Sequence, residues 1–284
     1  MSREVLDPRS FDLIQVEDRL WIVTAPTGLR VYDYDLTRYF QCKHGLFRHS
    51  GIVTAVARMG AAPDYGERFR SFLEMGIRLI HEPEEYLRTS YLPNWYPLIR
   101  DFTPRSRWFE TPPTVEQIEQ DFSWPIFVKG ERQTSKHQAK LAFIENPKRF
   151  EEVMDLWRRD PILHWQRVVV RDFIPLRPAS PGGHIGSGLP KSFEFRCFVW
   201  KGTCVGIGRY WTAESYELDT RERDEVTALA ERVAATIRVT FLVVDVAMTL
   251  QGEWTVIEIN DGQDSGYAGN QPLAIWRRIL DLEA

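Results

Sequence analysis

Between Phe241 and Asn260 the chain reads FLVVDVAMTLQGEWTVIEIN, two apolar runs on either side of Gln251-Gly252 with acids set inside them. Runs rich in β-branched and large apolar residues form strands, and a Gly-containing turn joins such strands into a hairpin. Centred on Gln251-Gly252, the hairpin sets Asp245 opposite Glu258 and Thr249 opposite Trp254. Side chains alternate, so Glu258 and Asn260 share a face and Asp245 joins them. Two carboxylates held side by side in apolar strands repel and are poorly solvated unless a cation, a proton or a hydrogen-bond network compensates them. A hard divalent ion such as Mg²⁺ fits best, because it takes carboxylate and amide oxygens and keeps positions open for phosphate oxygens. The plainer alternative is an edge hairpin whose acids face solvent.

Composition narrows the class. A chain of 284 residues buries a sizeable core, as one large domain or two small ones. Its 36 basic and 40 acidic residues leave a net charge of -4 with no long run of one sign, so neither nucleic acid nor an anionic membrane is expected as a partner. No apolar run approaches the ~18–20 residues of a membrane span. The start, MSREVLDPRS, lacks the apolar core of a signal peptide, and a cytoplasmic location is expected. Cys42, Cys197 and Cys204 show no metal-ligand spacing and read as free thiols of a reducing compartment. The six histidines form no paired motif, so a zinc enzyme is not expected. Nothing marks the oligomeric state, and a homo-oligomer stays open.

Along the chain, Phe11–Val16, Leu20–Thr24 and Leu29–Tyr34 read as short strands of a small initial unit. The polar, Gly-bounded stretch Lys43–Gly51 leads into an expected helix over Ile52–Met59. Phe69–Glu74 reads as a helix closed by Gly76, Ile77–Ile80 as a strand, Glu85–Ser90 as a helix, and the Pro- and Trp-rich run to Pro113 as irregular. A helix from Thr114 to Phe122 precedes a strand, WPIFVKG, that ends on Lys129 and Gly130. A polar loop, Glu131–Gln138, follows, then a strand over Lys140–Glu145 and an amphipathic helix over Pro147–Arg158. Gln166–Ile174 (QRVVVRDFI) reads as a strand leading into a Gly/Pro/Ser segment, Pro178–Pro190. Phe193–Trp200 and Thr203–Trp211 read as a second hairpin about Lys201-Gly202, with Glu194 opposite Arg209 and Arg196 on their face. The like charges suggest an anion between them; an ordinary Glu–Arg pair on an exposed sheet explains them equally. Asp224–Arg238 carries Val226, Leu229, Ala230, Val233, Ala234 and Ile237 on one helical stripe. Neither a GxxxxGK[ST] loop nor a GxGxxG turn is present.

A strand ending in Lys129, a polar loop, a strand-helix unit, VVVRDFI, a hairpin with arginines, a helix and the Asp/Glu/Asn hairpin together resemble the ATP-grasp superfamily of carboxylate–amine ligases. The resemblance spans about Leu79 to Asn270 and is nearest the clade named for two arginines and a lysine. FEFRCFVWKGTCVGIGRYW is similar to the arginine hairpin of ribosomal-protein glutamate ligase-like members, and VVDVAMTLQGEWTVIEIN to their metal-binding hairpin. It implies an α+β ATP-grasp fold: a small N-terminal α/β unit (1–82) on the substrate side, then two α+β subdomains (83–165 and 166–284) that grip ATP. It also implies roles. Lys129 would hold the α- and β-phosphates, under a loop over Glu131–Gln138 in which Lys136 is a further phosphate-binding candidate. Asp172, Phe173 and Ile174 would form the hinge whose backbone reads adenine. Arg196 and Arg209 would neutralise the γ-phosphate and the acyl phosphate, and Asp245, Glu258 and Asn260 would hold Mg²⁺. The implied reaction joins small-molecule or peptide carboxylate and amine substrates. The alternatives are an ATP-grasp phosphotransferase and a non-catalytic ATP-binding module. The chain departs from the family pattern in a loop poor in Gly and Ser, in the short hinge acid Asp172, and in Asp-Gly-Gln-Asp-Ser-Gly after Asn260.

Overall fold

The computed structural model describes residues 52–56, 64–74, 76–132, 142–161, 163–180 and 191–283. The expected strands before residue 40, the Lys43–Gly51 stretch, Lys136 and most of the two polar loops lie outside them.

In chain order the described elements are β1 (Val53–Ala55), α1 (Tyr65–Glu74), β2 (Ile77–Leu79), α2 (Pro83–Ser90), α3 (Leu92–Ile99), a 3₁₀ turn (Arg100–Phe102), β3 (Ser106–Phe109), α4 (Val115–Glu119), β4 (Ile126–Gly130), β5 (Phe143–Ile144), α5 (Pro147–Trp157), β6 (Val168–Asp172), β7 (Glu194–Trp200), β8 (Thr203–Arg209), α6 (Thr220–Ile237), β9 (Phe241–Met248), β10 (Trp254–Asp261) and α7 (Pro272–Glu283). Two antiparallel four-stranded sheets, ordered β3-β6-β4-β5 and β10-β9-β7-β8, carry the helices on their faces, and β1 pairs with β2 in parallel. The architecture is α+β. Among the described residues no helix is long and apolar enough to cross a membrane.

Each sheet is built on a strand buried on both sides. In the first, Val168 and Val170 of β6 join Ile126 and Val128 of β4 against α5. Asn146 caps α5 by accepting the Arg149 N–H, Pro147 opens it, and Phe150, Val153, Met154 and Trp157 form its inward stripe. Burying each of these large side chains contributes about 1.5–3 kcal/mol. In the second sheet β9 is buried along its whole length. Its Leu242, Val244 and Val246 pack with Phe195, Cys197 and Val199 of β7 against α6, whose buried stripe is the one read from the sequence. A capping box between Asp219 and Glu222 starts α6. Phe241 and Val243 face the other way and, with Phe198 and Trp200, pack against Ile275, Trp276 and Ile279 of α7, a helix the sequence reading did not place.

Two further expectations are corrected. The helix expected from Ile52 does not start there: of that stretch residues 52–56 are described, and 53–55 form a strand whose partner lies more than twenty positions ahead, a pairing that local periodicity does not record. The run to Pro113 is not irregular, because it holds α3, the 3₁₀ turn and β3. Pro93 falls in the tolerated first turn of α3, and burial of Leu92, Trp95 and Ile99 outweighs the helix-breaking effect of Pro97.

Candidate functional site

Lys129 is the next-to-last residue of β4, opposite Val169 of β6. Side chains alternate, so it lies on the face opposite the α5 core, as does Arg171. On that face the edge strand β10 of the second sheet meets the first sheet. Three buried contacts make the junction: Lys129 Nζ pairs with Glu258 Oε1, Arg171 Nη1 donates to the Ile257 carbonyl at 2.7 Å, and Thr103 Oγ1 donates to the Val256 carbonyl at 2.8 Å.

Glu258 reaches this face only because β10 contains a bulge. From Trp254 to Val256 the strand runs opposite Met248 to Val246; after the irregularity Glu258 lies opposite Asp245 and Asn260 opposite Val243. Thr249 is therefore not opposite Trp254, a correction, whereas the Asp245–Glu258 pairing holds. An unbroken register would set Glu258 opposite Val244, on the α6 core face. The bulged Ile257 carbonyl is the group that Arg171 binds. Arg171 also donates from Nε to Ser106 Oγ at 2.9 Å and from Nη2 to Thr103 Oγ1 at 2.5 Å. Burial pulls its pKa down to about 10, against the attraction of Glu258.

Arg196 of β7 lies opposite Asp245 of β9. Its Nε and Nη2 donate to Asp245 Oδ1 and Oδ2 at 2.8 and 2.7 Å, a two-pronged pair, and Nη1 donates to the Gly266 carbonyl at 2.8 Å. Burial works against the charged guanidinium, but the Asp245 carboxylate outweighs it and holds the pKa above the ordinary value. Tyr210 places its ring 5.1 Å from the same guanidinium. Lys129, Arg196, Asp245 and Glu258, drawn from four strands, thus form two ion pairs side by side, with Asn260 two residues along the same strand.

Arg209 does not join them. A second bulge, between Phe198 and Val199, shifts the β7–β8 register so that Arg209 lies opposite Phe195 rather than Glu194, on the α6 face. Its Nη1 donates to the Glu214 carbonyl at 3.1 Å and lies 3.7 Å from Glu217. The expectation of a shared face with Arg196 is corrected: one extra residue in a strand inverts every side chain beyond it. Asp172 closes β6 in a two-pronged pair with the half-exposed Arg105, at 3.0 Å for each bond. Phe173 packs against Phe143 at 4.6 Å. Ile174, with Phe102, Thr103, Leu229 and Trp254, lines a cleft of about 740 Å³. Just beyond, Leu250 N–H donates to the Pro175 carbonyl at 3.0 Å and Leu176 bridges to Thr249, so residues 173–174 are where the chain crosses from the first sheet to the second.

Two groups near the site went unread in the sequence. Arg171 had a signal, a cation beside Asp172 in the otherwise apolar run VVVRDFI. His81 had none: it is fully buried and pins β2 to the end of β10. Its Nε2 accepts the Phe241 N–H at 3.0 Å, so the proton sits on Nδ1, which donates to Asp261 Oδ2 at 2.5 Å and leaves the ring neutral.

Residues 104–279, more than half of the chain, match the family model of an ATP-grasp domain, family 3 of the clade named for two arginines and a lysine. No curated protein matches the chain. Among solved structures it is similar in fold to a RimK domain ATP-grasp protein from Sphaerobacter thermophilus, 18% identical over 75% of this chain and 73% of that one, with a TM-score of 0.53. It is similar to VanG D-Ala:D-Ser ligase from Enterococcus faecalis, 15% identical over 80% of this chain and 68% of that one, TM-score 0.54. It is also similar to D-alanine–D-alanine ligase from Bacillus anthracis complexed with ATP, 14% identical over 80% and 77%, TM-score 0.54. The fold is thus that of the ATP-grasp domains, and this chain belongs to the third family of their two-arginine, one-lysine clade.

Proposed function

We propose that the protein is an ATP-dependent ligase that joins a carboxylate to an amine through an acyl phosphate and releases ADP and phosphate. The observation that carries this reading is the pairing of Asp245 and Glu258 with cations from other strands, Lys129 with Glu258 and Arg196 with Asp245. As it stands the site is neutral. It becomes a receptor for a polyanion when the acids gain another partner.

The donor set suits Mg²⁺, since two carboxylates and the Asn260 amide oxygen are hard oxygen ligands. Among the described residues no three histidines, cysteines or acids cluster closely enough to hold a metal alone, so phosphate oxygens would complete the shell. Asp245, Glu258 and Asn260 would hold the ion, which when bound supplies positive charge to the phosphates. Lys129 and Arg196 exchange carboxylate for phosphate oxygen, Lys129 as a point charge at the α- and β-phosphates and Arg196 as a fork at the γ-phosphate. Asp172, Phe173 and Ile174, at the crossing between the sheets, offer their backbone to adenine. Arg209 has no phosphate role here, because its guanidinium belongs to the other face.

Attack of a substrate carboxylate oxygen on the γ-phosphorus breaks the bond to ADP and brings two anions together, the approach that Lys129 and Arg196 stabilise. The amine then bonds to the acyl carbon, phosphate leaves with the carbon–oxygen electron pair, and the nitrogen gives up a proton. The test is ADP release across small and peptide carboxylates and amines with Mg²⁺. Amine-dependent release is expected in the wild type and its loss in Lys129→Ala and Glu258→Gln, with the circular dichroism spectrum retained. A phosphate ester formed without any amine, or wild-type rates in both variants, would end the ligase reading.

A further inference from the structure

Arg132 stands just past the lysine strand and is 7% exposed. Its backbone is fixed: its N–H donates to Gln166 Oε1 at 3.0 Å, and the carbonyl of the preceding Glu131 accepts the Leu92 N–H at 2.8 Å. The guanidinium carbon lies 5.6 Å from the Tyr86 ring and 5.3 Å from the Tyr91 ring. Among the described residues its one side-chain hydrogen bond runs from Nη2 to the Tyr86 hydroxyl, which in turn donates to Asp264 Oδ2 at 2.7 Å. Asp264 itself stands 3.8 Å from Nη2, beyond hydrogen-bond reach.

A guanidinium has five N–H donors in one plane, and one side-chain bond leaves most of them unspent. Aromatic contacts engage its faces, not its edge, so the spare donors present the in-plane fork that receives a carboxylate. Asp264 balances the charge at 3.8 Å without filling that fork, and a buried fork left unfilled is costly unless an anion completes it. The arrangement exceeds what anchoring α2 requires, since Tyr86 already bonds Asp264 and stacks on Tyr65 at 3.9 Å.

Position and charge identify the anion. Arg132 follows Lys129 by three residues and Asp264 follows Asn260 by four, so the cluster lies just beyond the ends of β4 and β10, next to the residues proposed to bind the phosphates. Asp264 stands beside the arginine, and Asp64 is near enough that Arg132 adds to the lowering of its pKa, which Arg68 chiefly causes. These acids disfavour a phosphate and favour a carboxylate with an ammonium next to it. We propose that Arg132, supported by Tyr86 and Asp264, binds the α-carboxylate of an amino acid that supplies the amine. This rests on the ligase reading for its reaction, though not for its binding.

The test uses the whole chain with Mg²⁺ and a non-hydrolysable ATP analogue. Melting curves are titrated with the standard α-amino acids and with the matching α-amides, and ADP release is measured with ATP. At least one amino acid should raise the melting temperature and its amide should not. Arg132→Lys and Arg132→Gln should respond normally to the nucleotide but require about tenfold more of that amino acid or beyond, the loss expected of a charged hydrogen bond. Amides that act as well as acids, unaltered responses in both variants, or the absence of any amino-acid effect would overturn the proposal. Should Arg132→Gln fail to fold, the comparison of acid with amide on the wild type still decides. An Arg132-dependent shift without ADP release would leave the subsite standing and remove the ligase reading instead.

Discussion

Arg171 shows how one buried side chain sets the face of another. Its fork closes on the carbonyl of the β10 bulge, and the bulge is what turns Glu258 from the α6 core toward Lys129. Arg171→Lys keeps the charge but not the fork, so it should lose about 2–3 kcal/mol of stability, the scale of charged hydrogen bonds, and weaken Mg²⁺-dependent nucleotide binding. Denaturant unfolding and nucleotide titration measure the two effects. Full nucleotide affinity in the lysine variant would show that charge alone suffices. Tyr216 supplies the pH dependence. Its hydroxyl donates to the Glu194 carbonyl at 2.8 Å and accepts the Trp211 N–H, and burial raises its pKa from near 10 to about 12. An acid whose folded pKa is raised stabilises the fold fully below its unfolded value and loses that contribution as pH climbs through the folded one. Stability should therefore fall between about pH 10 and 12 by on the order of 2–3 kcal/mol from this residue. Tyr216→Phe should flatten that alkaline decline in unfolding curves. Burial also raises the Tyr65 pKa, so part of the slope should remain.

Among the elements, the β7–β8 hairpin depends on a close approach that only glycine permits. A Cβ on Gly208, the residue opposite Arg196, would stand 2.3 Å from the Asn270 nitrogen and 2.4 Å from the Gly269 carbonyl carbon. Backbone cannot yield as a flexible side chain does, so Gly208→Ala should cost about 1–3 kcal/mol in melting experiments. The displaced loop also holds Arg196, through the Gly266 carbonyl and through the Asn270 side chain that donates to the Arg196 carbonyl at 3.0 Å. The variant should therefore raise KM for ATP as well, and a stability loss with unchanged KM would separate the loop from the site. Elements with a clear period were readable in advance: α5, α6 and the paired runs around Gly202 and Gly252 fall where their apolar spacing puts them. α3 and β1 were not, because a proline-bearing helix and a short parallel strand owe their form to distant partners.

For the molecule as a whole, the two sheets meet at Lys129–Glu258, at Arg171 and at Thr103, all next to the proposed triphosphate position. A ligand that bridges this junction stabilises both sheets together. A Mg²⁺-complexed ATP analogue at a hundredfold its Kd should add about 2.7 kcal/mol, roughly 5–10 °C in melting temperature for a chain of this size. Lys129→Met should fold and show little of that rise, and an equal rise in the variant would take the lysine out of the nucleotide site. By itself the sequence determined what nearest neighbours decide. Apolar runs made the strands, the Gly-containing turns joined them into hairpins, and the 3.6-residue stripe gave α6 its buried face. Tertiary structure decided which charges meet. Single-residue bulges carried Glu258 into the site and Arg209 out of it, and Arg132, Arg171 and His81 found partners far along the chain. The reason is physical: periodicity records only which side of its own element a residue occupies, whereas a buried charge is stable only where another part of the chain supplies its hydrogen bonds.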